Sequence, residues 1–263
     1  MKKLAIVGCG YLANIVADAF LNGLLPEYDI VGVYSRTFSK ATRLSEKLKS
    51  GGSECLAASS LDELLALKPE ILVETTTPTG MKDMAVKVLE NGTSIVTLSI
   101  GALADNALLE EIKRAARENG SRVYIASGAT GGFDVLRTAT LMGNAKAGFL
   151  NEKGVRAFRG SYFYKSSMES ENQTIFSGTA REAIETFPTG LNVAVAASLA
   201  TVGPENLQVT MESTPKFTAG DRQRVEITND EVHAVVDVFS ATPAIAAWSV
   251  VSTLQNIVSP IVF

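Results

Sequence analysis

A glycine-rich loop near the start of the chain carries the clearest chemical signal in the sequence. Gly8, Gly10 and Ala13 stand at the spacing G-x-G-x-x-A, between an apolar run at 3–7 and apolar residues at helical spacing over 11–21. In such a strand, turn and helix, the first glycine permits the tight turn, the second lets a pyrophosphate approach the backbone, and the alanine lets the helix pack closely. The N–H groups that begin the helix then face the phosphates.

The loop therefore predicts a dinucleotide-binding site. An ordinary glycine turn between a strand and a helix is the alternative, but strand, motif, helix and second strand follow one another in the required order. The residues we expect to contact the dinucleotide here are Gly8, Gly10, Tyr11, Leu12 and Ala13.

The residues after the second predicted strand, at 30–34, indicate which dinucleotide binds. A site specific for NAD usually has an Asp or Glu here for the ribose 2′-hydroxyl, whereas this chain has Arg36. A guanidinium can pair with a 2′-phosphate through two hydrogen bonds. The sequence therefore favours NADP, and NAD remains possible if Arg36 stacks on adenine or faces solvent. The expected contacts are Ser35, Arg36, Thr37 and Lys40.

Hydroxyl side chains follow the strand predicted at 71–74. The carboxyl end of this strand, where open parallel sheets bind their ligands, is followed by Thr75, Thr76, Thr77 and Pro78. We expect Thr76 and Pro78 to lie against the nicotinamide ribose. A plain helix-entry turn, with Pro78 near the first helical position, explains the same residues.

The order of predicted elements defines the fold class as α/β. Strands and helices alternate up to residue 126, which predicts a Rossmann domain at 1–126 with a doubly wound parallel sheet. From about residue 128 the segments become strand-rich, with three helical stretches and a hairpin that turns at 228–231. We therefore predict a second, smaller α+β domain at 127–242.

The last segment of the chain, 243–263, has no charged residue and is long enough to be compared with a membrane span. Pro243 and Pro260 bracket a helix-length piece of it, and its Ser, Thr, Gln and Asn side chains would be costly in lipid. We expect a buried helix that returns to the Rossmann domain, followed by a short strand at 261–263.

Composition excludes several classes of partner. The 263 residues are 46% hydrophobic and 20% charged, as in globular proteins, and the net charge of −4 without a run of Lys or Arg argues against nucleic acid and membrane surfaces. Two cysteines, Cys9 and Cys55, cannot form a framework of several disulfides, which suggests a cytoplasmic location. No Cys or His spacing predicts a metal site.

Residues 125–136, IASGATGGFDVL, resemble the Ser-Gly-Ala-x-Gly-Gly signature of the L-aspartate dehydrogenase family. Similar stretches occur at 99–105, at 176–183 leading into Phe187–Pro188, and at 191–194, so the resemblance covers nearly the whole chain. It implies a homodimeric enzyme that uses NAD(P) to interconvert L-aspartate with iminoaspartate, or with oxaloacetate plus ammonia. It also implies that the second domain, at 127–242, serves substrate binding and dimerisation, and that Ala129 and Asn192 contact the cofactor. We add Ser99, from the similar stretch at 99–105, to the expected cofactor contacts.

The substrate half departs from that family. The family's catalytic histidine follows an Asp-Pro pair that ends a strand, whereas this chain has Thr214–Pro215, and spacing from Asn192 puts the histidine position at about Arg222. The family's Asn-Pro-Lys-Thr-Ser run is Thr-Pro-Ala-Ile-Ala at 242–246. The candidate catalytic residues are therefore Arg222, as a carboxylate clamp, and His233, the one histidine, as a titratable group. A strand histidine paired across a hairpin is the alternative for His233.

Together these observations predict an NAD(P)-dependent oxidoreductase that transfers a hydride between NADP(H) and a small amino, imino or 2-oxo acid. A non-catalytic NADP(H)-binding sensor or scaffold is the alternative, because the family histidine is missing. The altered substrate residues also predict that oxaloacetate is a poor substrate. The expected partners are the small-molecule substrate and a second copy of the chain.

Overall fold

The computed structural model describes residues 1–187 and 190–263, which divide into two compact units. Unit 1 comprises 1–126 and 246–263, and unit 2 comprises 127–245. Pro188, which the family resemblance includes, lies outside the described residues.

Unit 1 is built on a parallel sheet with the strand order β3-β2-β1-β4-β5-β6. Its strands are β1 (Lys2–Val7), β2 (Tyr28–Tyr34), β3 (Leu56–Ala58), β4 (Ile71–Glu74), β5 (Ser94–Thr97) and β6 (Val123–Ile125). Because β2 and β4 flank β1, the direction of winding reverses there, and such a reversal opens a crevice for ligands at the carboxyl ends of the strands. The predicted doubly wound parallel sheet is confirmed; the short β3 was not anticipated.

The helices of this sheet differ in how they begin. They are α1 (Tyr11–Leu21), α2 (Phe38–Ser50), α3 (Leu61–Ala66), α4 (Pro78–Glu90) and α5 (Asn106–Glu118), with a 3-10 turn at Ile100–Ala104. The side chains of Ser60, Thr77 and Asp105 cap α3, α4 and α5. At α1 the capping position is Gly10, which has no side chain to supply such a bond.

Unit 2 combines helices with a mixed sheet of the order β11-β10-β7-β9-β8. Its elements are α6 (Phe133–Leu141), β7 (Lys146–Gly154), β8 (Gln173–Thr179), α7 (Ala180–Thr186), α8 (Asn192–Ala200), β9 (Gln208–Thr214), β10 (Asp221–Thr228) and β11 (His233–Ser240). Alternate residues such as Phe149, Val209 and Val225 pack with the helices, so that one face of the sheet is covered. The predicted α+β character of this part is confirmed.

The C-terminal helix α9 (Ala244–Val258) supplies side chains to the core of unit 1. Ala247, Val250 and Leu254 are buried in it. The hydroxyl of Tyr28, itself buried, donates a hydrogen bond to the carbonyl oxygen of Leu254 at 2.7 Å. Among the described residues, none of the helices combines the length and the apolar character that a membrane span requires.

The strand predicted at 261–263 was wrong. Ile261 and Phe263 are exposed and irregular. Pro260 cannot donate to a strand ladder, and the Asn256 side chain instead bonds both the N–H of Phe263 at 2.9 Å and its carbonyl oxygen at 2.7 Å. Local side-chain bonds therefore hold this end of the chain.

Candidate functional site

A cavity of about 360 Å³ lies in unit 1 where the carboxyl ends of β1, β2 and β4 meet. It is lined by the glycine loop and by the loops that follow β2 and β4. The predicted cofactor contacts that it brings together are Gly8, Gly10, Ser35, Arg36, Thr37, Lys40 and Thr76.

The two glycines of the loop are required for different reasons. Gly8 has φ of +93°, and a Cβ there would stand 2.7 Å from the carbonyl oxygen of Thr75. The loop is held in this position because the Gly8 N–H donates to the Tyr34 carbonyl oxygen at 2.9 Å, and the Thr75 hydroxyl donates to the Gly8 carbonyl oxygen at 2.8 Å. A Cβ on Gly10, in contrast, meets no atom within 4 Å. Packing within the protein therefore explains Gly8 but not Gly10, where the approach of a ligand stays a prediction.

Two cations mark the end of the cavity that follows β2. Arg36 and Lys40 are exposed and line it, and neither side chain forms an ion pair or hydrogen bond with the residues that the structure describes. Asp83 of α4 and the apolar Leu61 and Met84 also line the cavity. Sequence reasoning missed these three, because they come from helices far along the chain and carry no local motif.

Hydroxyl groups after β4 are organised by a carboxylate that sequence reasoning also missed. Glu74, the last residue of β4, is fully buried and accepts hydrogen bonds from Thr76, Thr97 and Ser99. Thr76 lines the cavity, whereas Ser99 is only 3% exposed and is not among the lining residues. A fixed hydroxyl therefore stands on the β4 side of the cavity.

Four other predicted cofactor contacts lie in the helices α1 and α4. Ala13 is fully buried in the core of unit 1, with Leu12 packed against that core. Tyr11 is 59% exposed, and Pro78 is the first residue of α4. None of these four is a lining residue of the cavity. Direct cofactor contact by them stays a prediction.

Two predicted cofactor contacts belong to unit 2. Ala129 lies in the loop before α6, and Asn192 is the first residue of α8. Their roles rest on the family resemblance and stay predictions.

The two candidate catalytic residues do not converge. Arg222 pairs with Phe239 across the β10–β11 hairpin, and His233 pairs with Thr228 at its other end. The two positions are six residues apart along the strands, roughly 20 Å at the rise of a β-strand. Within unit 2 they cannot act on one small substrate together.

Both of these side chains are held by carboxylates on the uncovered face of the sheet. The Arg222 guanidinium donates to Asp237 at 2.7 Å and to Glu152 at 3.3 Å. Hydrogen bonding and charge from Asp237 raise the Arg222 pKa, and the same pairing lowers the Asp237 pKa. His233 Nε2 contacts Glu226 Oε1 at 2.8 Å. Arg222 is therefore occupied as an ion-pair partner, and it lies in β10 rather than in the loop at 215–220 that follows Thr214.

The covered face of the same sheet carries buried polar side chains. Gln223 stands opposite Asn151, and both are buried, as is Ser213. Within the described residues, Ser213 Oγ and Gln223 Oε1 have no hydrogen-bond partner. Buried polar atoms are normally paired in proteins, so these two are exceptions. The sequence signal that could have identified these residues is a polar side chain at a strand position that faces the core.

The cysteines are unsuited to nucleophilic chemistry. Burial raises the pKa of the Cys9 thiol to about 12 and that of the Cys55 thiol to about 11. Thiolate is the reactive form, so both remain unreactive at neutral pH. In the described part of the chain, no group of three or more His, Cys, Asp or Glu side chains is placed to hold a metal ion.

Comparison with known proteins finds matches to both the N-terminal and the C-terminal part of the chain. Residues 8–126 match the family model described as homoserine dehydrogenase, NAD binding domain, and residues 134–257 match that of aspartate dehydrogenase, C-terminal. An L-aspartate dehydrogenase of Methanococcus maripaludis is 30% identical over 218 residues, which are 80% of this chain and 78% of the relative. That of Methanocella arvoryzae is 30% identical over 274 residues, covering 99% and 98%.

Solved structures show the same fold. Aspartate dehydrogenase from Thermotoga maritima superposes with a TM-score of 0.77 at 22% identity, covering 100% of this chain and 99% of the other. A hyperthermophilic archaeal homoserine dehydrogenase in complex with NADPH has a TM-score of 0.64 at 14% identity, covering 97% of each chain. The solved structures show a shared fold, whereas the sequence relatives at 30% identity show the family. The chain therefore belongs to the aspartate dehydrogenase family of NAD(P)-dependent oxidoreductases.

Proposed function

We propose that the protein is an NADP(H)-dependent dehydrogenase that interconverts a small amino acid with its imino or 2-oxo acid. The observation that carries the proposal is the cavity of unit 1, where a glycine loop, two unpaired cations and a fixed hydroxyl meet. The relatives named as L-aspartate dehydrogenases support an amino acid as the class of substrate.

The residues of the cavity fit the parts of a dinucleotide. The space beside Gly10 and the start of α1 suit the pyrophosphate, Arg36 and Lys40 suit a 2′-phosphate, and Thr76 suits the nicotinamide nucleotide. When bound, the nicotinamide supplies the hydride chemistry. The contribution of the protein is to hold that ring and the substrate in a fixed relation and to keep water away.

The preference for NADP tests the cofactor assignment. One charge-assisted bidentate contact is worth roughly 1.5–3 kcal/mol, so NADPH should bind at least about tenfold more tightly than NADH. We expect Arg36→Ala to remove most of that preference in calorimetric titration. Arg43→Ala is the matched control, because Arg43 is exposed on α2, the helix that follows Arg36, donates to the Ser39 carbonyl oxygen and does not line the cavity. Equal affinities in the native protein would contradict the assignment, as would an unchanged preference in Arg36→Ala.

The substrate proposal concerns unit 2. Residues 244–246 are Ala-Ile-Ala where the family has Lys-Thr-Ser, and the Arg222 guanidinium is already paired with Asp237 and Glu152. A dicarboxylate needs a second cation, so these changes favour a substrate with one carboxylate. The test is NADPH oxidation with ammonium and oxaloacetate, pyruvate or branched 2-oxo acids. Oxaloacetate should be among the weaker substrates, and an efficient reaction with it would contradict this choice.

The same assay separates an enzyme from a sensor or scaffold. Tight NADPH binding without turnover of any 2-oxo acid would favour the non-catalytic alternative. Turnover with even one of them at a saturable rate supports the dehydrogenase.

A second copy of the chain is the proposed partner of unit 2, as the family resemblance implies. The uncovered face of its sheet exposes Val235 by 39% and Phe239 by 53% between the ion pairs already described. We expect a homodimer by light scattering at micromolar concentration and a shift to monomer in Phe239→Glu. Leu24→Glu, at an exposed apolar position in unit 1, is the control and should leave the dimer intact. A native protein that is strictly monomeric would contradict the proposal.

A further inference from the structure

The buried Glu74 carboxylate accepts five hydrogen bonds. Its Oε1 accepts from the N–H and the hydroxyl of Thr76, both at 2.6 Å, and from the hydroxyl of Ser99 at 2.8 Å. Its Oε2 accepts from the hydroxyl of Thr97 at 2.6 Å and from the N–H of Ser99 at 3.2 Å. In the part of the chain that the structure describes, all of its bonded partners are neutral and none is a cation.

This network decides how the hydroxyl groups can act toward a ligand. A hydroxyl has one hydrogen to donate and two lone pairs that accept. The Thr76 hydroxyl directs its hydrogen to Glu74, so the side that lines the cavity can only accept. Such an oxygen repels phosphate and attracts a neutral donor, namely a ribose hydroxyl or a carboxamide NH₂.

Two glycines fix Thr76 from the remaining sides. A Cβ on Gly8 would stand 2.9 Å from Thr76 Cγ2, and a Cβ on Gly80 would stand 2.5 Å from Thr76 Oγ1. The Thr76 side chain therefore fits between the glycine loop and the first turn of α4 only because both residues lack a Cβ. Together with the short bond to Glu74, this close packing restricts the position of the Thr76 hydroxyl.

The place of Thr76 in the sheet indicates which part of the dinucleotide it meets. Arg36 follows β2 and Thr76 follows β4, on opposite sides of β1. A dinucleotide that lies across this reversal puts its adenosine on the β2 side and its nicotinamide nucleotide on the β4 side.

We propose that Glu74 is a positioning residue that holds the Thr76 hydroxyl as a hydrogen-bond acceptor for a neutral donor on the nicotinamide nucleotide, a ribose hydroxyl or the carboxamide. The proposal rests on the NADP(H) site proposed above. It assigns the orientation of the nicotinamide half to a buried carboxylate that itself touches no cofactor.

Thr97 allows the network to be changed without altering the cavity. Its side chain is fully buried, donates to Glu74 and is not a lining residue. Thr97→Val removes that bond at nearly constant volume, and Thr97→Ser keeps it. One neutral hydrogen bond corresponds to roughly a 3- to 10-fold change in affinity. We expect Thr97→Val to weaken NADPH binding by about that factor, Glu74→Gln to weaken it about tenfold or more, and Thr97→Ser to retain native affinity.

The adenosine half of the cofactor is the internal control. Calorimetry with 2′,5′-ADP, which lacks the nicotinamide nucleotide, should give native affinity in all three variants. The 3-acetylpyridine analogue of NADPH, which lacks the carboxamide NH₂, identifies the donor. If the carboxamide donates, Glu74→Gln no longer weakens binding of this analogue; if a ribose hydroxyl donates, the loss persists.

Two results would overturn the inference. One is unchanged NADPH affinity in Thr97→Val and Glu74→Gln; the other is an equal loss for NADPH and 2′,5′-ADP, which would indicate general damage to the fold. Failure of the proposed cofactor site is a different result, because the native protein would then bind neither NADPH nor 2′,5′-ADP.

Discussion

Alanine substitutions at Gly8 and Gly10 should separate a packing requirement from a ligand requirement within one loop. At Gly8 a side chain faces two costs: φ is +93°, and Cβ meets the backbone of Thr75 at 2.7 Å. The positive φ costs about 1–2 kcal/mol, and crowding against backbone that must shift adds about 1–3 kcal/mol. Gly8→Ala should therefore lower the free energy of unfolding by about 2–5 kcal/mol.

Gly52 isolates the first of these costs. Its φ is +95°, close to that of Gly8, but a Cβ there meets nothing within 4 Å. Gly52→Ala should lower the free energy of unfolding by only about 1–2 kcal/mol. The difference between Gly8→Ala and Gly52→Ala then measures the crowding alone.

Gly10 should behave in the opposite way. Its φ of −94° is open to other residues, and a Cβ there contacts no protein atom within 4 Å. Gly10→Ala should leave the free energy of unfolding within about 1 kcal/mol of native. A methyl group in the path of the pyrophosphate should nevertheless weaken NADPH binding roughly 10- to 100-fold.

Urea unfolding followed by circular dichroism, together with calorimetric titration of NADPH, measures both quantities. Native NADPH affinity in Gly10→Ala would refute the assignment of the pyrophosphate to this loop. A Gly8→Ala protein no less stable than Gly52→Ala would refute the packing argument.

Two further predictions concern groups whose pKa is shifted. Burial holds the thiols of Cys9 and Cys55 at pKa values of about 12 and 11, so a disulfide reagent at pH 8 should label neither in the folded protein and both after unfolding. Because the unfolded thiols ionise near pH 8.5, stability should also fall as the pH rises above that value, and rapid native labelling would contradict the burial. The bond from Arg222 lowers the pKa of Asp237, so this pair stabilises the fold above about pH 4 and loses its effect as the pH falls through the lowered pKa. Asp237→Asn should therefore lower the Tm at pH 7 but not near pH 2, and an equal loss at both values would point to packing instead.

The parts of the fold that were predicted depend on local patterns. The alternation of strands and helices up to residue 126 and the glycine spacing at Gly8 are properties of neighbouring residues, so the sequence shows them directly. The strand β3 has three residues, too few for a periodic signal, and it forms because β2 offers an edge to pair with. The elements that were predicted therefore have longer local patterns than β3, the strand that was missed.

The site depends on contacts between distant residues, and there sequence reasoning reached less far. Glu74 gains its role from Thr97 and Ser99, which stand 23 and 25 residues away on the next strand and loop. By residue count Arg222 stands where the family has a histidine, but the strand register places it among carboxylates from the adjacent strands. Counting residues along the chain does not show whether a position lies in a loop or in the strand that follows it. It also does not show which charged side chains surround that position.

Because α9 contributes to the core of unit 1, this unit can complete its folding only after the end of the chain has been synthesised. The core of unit 1 needs Ala247, Val250 and Leu254, and the buried Tyr28 hydroxyl needs the carbonyl oxygen of Leu254. All of unit 2 is translated between residue 126 and this helix. On the ribosome, the first half of the nascent chain must therefore wait, partly folded, while the segment encoded after it emerges and can fold first. Dinucleotide affinity should consequently appear late, only after residue 254 has left the exit tunnel.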